Sequence, residues 1–71
     1  MNEREIMNKL KYLIKKKKSL EEIKKELNMK DYEVFGFVEL LRQEGFQAAF
    51  KEGIFEVQKE HLITERDVYQ L

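Results

Sequence analysis

Apolar residues recur at helical spacing along the first part of the chain and then switch to alternation. Ile6, Leu10, Leu13 and Ile14 fall on one face of a stretch that opens at Asn2, with Met7 beside them. Asn2 is a good N-cap, and Glu5 stands where a capping box is completed. This predicts a first helix closed by the lysines Lys15 to Lys18, whose charge offsets the dipole at a helix C-terminus. A second, short helix is predicted from "SLEEIKKELN". Ser19 and Glu22 spell the S-x-x-E capping box, and Leu20, Ile23 and Leu27 form the only apolar stripe. Asn28 sits where a left-handed residue is expected to end it.

A turn over Asn28, Met29 and Lys30 leads to a third predicted helix, with Asp31 as its expected N-cap. Val34, Phe37, Val38 and Leu41 are spaced i, i+3, i+4, i+7 and form its inward face. Leu40 lies at the border, and Phe35, Gly36, Glu39 and Arg42 lie on other faces. Gly45 is the expected stop.

From Phe46 the period becomes two. Glu52-Gly53 is the only turn signal inside "FQAAFKEGIFEVQK". A tight turn there sets Phe50 opposite Phe55 and Ala48 opposite Val57. Phe46, Ala48, Phe50, Phe55 and Val57 then share one face, and a slip of one residue would mix apolar with polar. Glutamate is not favoured at the first turn position, so a four-residue loop with the same facing is the alternative. The remaining "EHLITERDVYQL" supports three readings: a short helix capped by Thr64 with Asp67, a strand with a frayed end, or a segment that packs on a partner. The expected organisation is one α+β domain over 1–58 and a C-terminal segment over 59–71, which is either an end or a link to a further domain.

Composition narrows the class. The 71 residues include no cysteine and no proline, so stability must come from packed helices and a small sheet without disulfides. Charged residues make up 39% and cancel to a net charge of zero, but they are unevenly placed. Residues 1–30 hold ten Lys/Arg against five Asp/Glu; residues 31–71 hold four against nine. An anionic partner must therefore be met by the first half. No apolar run approaches membrane-spanning length and no signal-peptide core follows Met1, so a soluble, cytoplasmic protein is expected.

The order of helix, short capped helix, tight turn, longer helix and hairpin resembles the winged helix-turn-helix family. The resemblance rests on "SLEEIKKELNMKDYEVFGFVELLRQEGF" and the hairpin after it, and covers residues 3 to about 58. It implies apolar helix-turn-helix positions at Ile23, Leu27, Met29, Val34 and Phe37. It departs from the pattern at Lys24, where a small residue is usual, and at Asn28, where glycine is usual. It also looks similar to helix-turn-helix segments that precede catalytic domains in some bacterial and phage enzymes, phosphoesterases among them, though no residue here identifies such a domain.

Winged helices mostly bind DNA, with the third helix in the major groove and the wing on a neighbouring groove or the backbone. The residues in the corresponding places are Lys30, Asp31, Tyr32, Glu33, Phe35, Gly36 and Glu39, of which one is cationic. Carboxylates near phosphates oppose binding, so the third helix is charged unlike a base reader. The basic residues lie elsewhere. Lys15, Lys16, Lys17, Lys18, Lys24, Lys25 and Lys30, with Arg42 and Lys51, are the candidate nucleic-acid contacts, mainly to phosphates. The competing reading is a solvated helix end and face. Tyr32, Phe35 and Glu39 are the candidate contacts for a protein partner or a homodimer, with packing against the wing as the alternative for the rings.

No catalytic constellation is present: no His-paired nucleophile, no glycine-rich phosphate loop, no paired acids in an apolar setting. The lone His61 has no second histidine or cysteine to complete a metal site. The chain is expected to be a non-enzyme without metal or cofactor. Two functions follow: a nucleic-acid-binding module, as a small regulator or accessory domain, or a winged helix turned to protein interaction or dimerisation.

Overall fold

The computed structural model describes residues 2–60. It is α+β: three helices, α1 (Glu3–Lys15), α2 (Leu20–Leu27) and α3 (Asp31–Gln43), then an antiparallel hairpin of β1 (Phe46–Lys51) and β2 (Ile54–Glu60). This layout is the one expected of a winged helix. The C-terminal segment beyond residue 60, for which a short helix, a frayed strand and a partner-packing segment are the alternatives, and with it His61, lies outside the described residues.

Each helix start has a local cause. Asn2 Oδ1 accepts from the Glu5 N–H at 2.8 Å, and Ser19 Oγ accepts from the Glu22 N–H at 3.2 Å. Such caps contribute about 1 kcal/mol each. The third start differs from expectation. Lys30, not Asp31, is the N-cap residue, and Asp31 is the first helical residue. The Glu33 carboxylate reaches back to accept the Lys30 N–H at 3.0 Å. A lysine amine has no acceptor, so only this half of a capping box forms. Asp31 is drawn off the cap by Lys24, whose amine lies 2.6 Å from its carboxylate.

The first two helices end alike. Lys18 N–H donates to Leu13 O and Lys17 N–H to Ile14 O; Met29 N–H donates to Lys24 O and Asn28 N–H to Lys25 O. Both are Schellman motifs, with the left-handed positions held by Lys17 (φ 60°) and Asn28 (φ 53°). The expected role of Asn28 is met.

The core is built from every described element. Leu10, Ile14, Ile23, Val34, Val38 and Phe55 are fully buried, with Met7, Leu13, Leu20, Leu27, Leu41, Phe46 and Ala48 around them. Two details shift: Met7 takes a core place while Ile6 is half-buried, and Phe37 is packed against the core without being enclosed.

The hairpin has the predicted register. Phe50 pairs with Phe55 and Ala48 with Val57 across a two-residue turn. Glu52 (φ 51°) and Gly53 (φ 80°) both take positive φ, as a type I′ turn demands, and the four-residue loop does not occur. The sequence gives no sign of the bulge that follows. Gln47 pairs with Lys59, so Gln58 is an extra residue on β2. The hairpin tip is docked, not projecting. Leu20 N–H, an orphan donor at the start of α2, donates to Gly53 O at 2.8 Å, and Ser19 bridges Ile54.

Candidate nucleic-acid and protein interfaces

The candidate cations divide by what they already touch. Lys24 holds Asp31 at 2.6 Å and Glu21 at 3.4 Å. The hydrogen bond to Asp31 is the main reason this amine keeps its proton more tightly than a free lysine. Lys24 therefore sends its amine outward and ties α2 to the first turn of α3. Arg42 donates through Nε and Nη2 to Ala48 O at 3.2 and 2.6 Å, and through Nη1 to Glu39 at 2.6 Å. It clips α3 to β1. Lys18 lies 3.7 Å from Glu22.

The lysines at the end of α1 also use aromatic faces. Lys15 lies over the Phe46 ring at 6.0 Å and Lys16 over the Tyr12 ring at 5.6 Å. Lys11 also lies over Phe46, at 5.4 Å. Lys17, Lys25, Lys30 and Lys51 are exposed and make no ion pair among the described residues. Lys15 and Lys17 line an open cleft of about 420 Å³ with Ile14, Glu56 and Val57.

The face of α3 is different. Tyr32 is 72% exposed. Phe35, three residues on, is 37% exposed and sets its ring edge-on to Phe50 at 5.1 Å, with Phe55 at 5.4 Å beneath. Phe35 thus packs on the hairpin and still presents a face to solvent. Phe50, 41% exposed, joins the patch, which sequence reasoning had placed simply on the apolar side of the hairpin. Its place near the Glu52-Gly53 turn, opposite Phe55, was the available signal. Glu39 is held by Arg42, as above.

A further ion pair joins parts of the chain that lie far apart in sequence. Arg4 and Glu44 meet in a two-point contact, 2.9 and 2.6 Å, joining the start of α1 to the end of α3. The hydrogen bonds from Arg4 hold the Glu44 carboxyl below its ordinary pKa. The two residues are 40 apart in sequence, beyond any local pattern.

Among the described residues no three His, Cys, Asp or Glu side chains gather to hold a metal, and no buried side-chain polar atom lacks a partner. No helix among them is long and apolar enough to cross a membrane. No protein-family model, no curated protein and no solved structure matches this chain.

Proposed function

We propose that this chain is a winged-helix nucleic-acid-binding module of the cytoplasm, without catalytic chemistry of its own. It grips phosphates through exposed lysines that follow α1, lie late in α2 and precede α3, and does not read bases through α3. The observation that carries this is the division of the cations. Lys24 and Arg42 are engaged in holding α3 to α2 and to β1. Lys17, Lys25 and Lys30 carry exposed charge with no ion-pair partner among the described residues, and Lys16 rests only on a tyrosine ring. A surface cation without a carboxylate partner can displace counterions from a phosphate backbone without first breaking a bond. Contacts of this type position a protein on nucleic acid and carry no base code.

The test is a four-site variant: Lys16→Gln, Lys17→Gly, Lys25→Gln and Lys30→Gln. Glycine is chosen at 17 to suit the left-handed backbone there. The variant is expected to lose binding to labelled duplex DNA while staying folded, with a melting midpoint no lower than the parent's. Tyr32→Ala is expected to bind DNA as the parent does. Equal affinity of the four-site variant and the parent would sink the proposal.

A further inference from the structure

The grip on phosphate uses Lys16 and leaves the ring beneath it without a role. Tyr12 is 58% exposed on α1, and the Lys16 ammonium lies 5.6 Å from its ring centre. Its chain neighbours Leu10, Leu13 and Ile14 are buried, so Tyr12 stands away from the core face. A lone exposed ring is ordinary on a protein surface, and exposure alone assigns it nothing. Its surroundings set it apart. One helical turn before Tyr12 come Asn8 and Lys9, and one turn after come Lys15 and Lys16. These are the positions that neighbour residue 12 on its own face of a helix. Three are cationic, one is a neutral amide and none is an acid. Lys9 lies 3.9 Å from Glu26 and Lys15 lies over Phe46, so the cation given to this ring is Lys16.

Ring and ammonium side by side match the two recognisable parts of a nucleotide. The phosphate is anionic and suits the ammonium; the base has a flat π face and suits the ring. Duplex DNA offers its phosphates but keeps its base faces inside the stack. A single strand offers both. An acidic peptide would satisfy the lysines and leave the ring unused. The contact between Lys16 and the ring is itself weaker than a stacked base, so the exchange is favourable once the ammonium moves to a phosphate. Tyr32 is more exposed, at 72%, but among the described residues no cation lies over its ring.

We propose that Tyr12 and Lys16 form a stacking step for single-stranded nucleic acid. The ring of Tyr12 takes one base, and the Lys16 ammonium takes the phosphate beside it. This step rests on the proposed grip on phosphate, since Lys16 belongs to both. It narrows the substrate to strands with unstacked bases and gives α1, not α3, the contact with a base. The contact reads a π face and carries no preference for sequence.

The probe is a fluorescein-labelled thymidine strand of about eight nucleotides. It is compared with an abasic strand of the same length, which keeps the phosphates and lacks the bases. Anisotropy on titration with the full chain at low salt reads both affinities. The thymidine strand is expected to bind about fivefold or more tighter than the abasic one. Tyr12→Ala is expected to remove that ratio and leave the abasic affinity as it was. Tyr12→Phe is expected to keep the ratio, because stacking needs no hydroxyl, and Tyr32→Ala to leave it unchanged. The ring protons of Tyr12 are expected to move upfield with the thymidine strand and to stay in place with a duplex. Equal affinity for two bound strands, a ratio that survives Tyr12→Ala, or an unmoved Tyr12 ring would overturn the stacking step and leave the phosphate grip standing. Failure of both strands to bind would overturn the grip and the stacking step together.

Discussion

Lys17 holds a left-handed backbone at φ 60° because the chain must reverse between α1 and α2 in a Schellman turn, and no glycine stands there. A side chain with a Cβ is strained in that region by about 1–2 kcal/mol. Lys17→Gly alone is therefore expected to raise stability by about 1 kcal/mol, less the entropy glycine adds to the unfolded chain. Urea unfolding of the single variant checks it. Arg42 is the opposite case, a cation that is structural. Arg42→Met removes its bonds to the Ala48 carbonyl and is expected to cost about 1–2 kcal/mol in the same experiment. Such differences are not legible in sequence. Lys24 and Lys25 are neighbours of the same type, and only the position of Asp31 across the turn separates an engaged amine from an exposed one. Asp31 does not serve as the cap for the same reason: local rules score a carboxylate before a helix without knowing that a lysine seven residues away holds it.

Helices and strands were far more legible, because each is set by periodicity and by chemistry within a few residues. Asn2, Ser19, Asn28 and the Glu52-Gly53 turn sit where their local signals place them. The bulge at Gln58 and the docking of the hairpin tip on Leu20 depend on packing between elements and left no periodic trace. The Arg4–Glu44 pair is likewise a link between elements, and it makes a pH prediction. Glu44 has its folded pKa depressed by Arg4 relative to the ordinary 4.5. A depressed carboxyl stabilises the fold above its unfolded pKa, and that contribution is lost as pH falls below 4.5 through the folded value. Arg4→Ala is expected to lower stability slightly at neutral pH and to flatten the decline below 4.5, because the pair is solvent-exposed. Unfolding curves across the acid range, with the Glu44 carboxyl followed by NMR, give the comparison; an unchanged acid limb would show that the pair contributes nothing to the fold.

The whole molecule carries its charge in two halves. Ten of fourteen Lys/Arg lie in residues 1–30, and nine of fourteen Asp/Glu in 31–71. Folding does not mix them fully. It neutralises Lys24 and Arg42 at α3 and leaves Lys17, Lys25 and Lys30 exposed. This separation underlies the proposed grip on phosphate. Its most direct test is the salt dependence of DNA affinity. Affinity for a labelled duplex would be measured from about 50 to 200 mM salt, where each phosphate neutralised contributes about −0.9 to the slope of log K on log salt. Four lysine contacts predict a slope of about −3.6, the same for a scrambled duplex. Absence of binding at the lowest salt, or affinity that ignores salt and follows base sequence, would contradict a lysine-borne grip on phosphate.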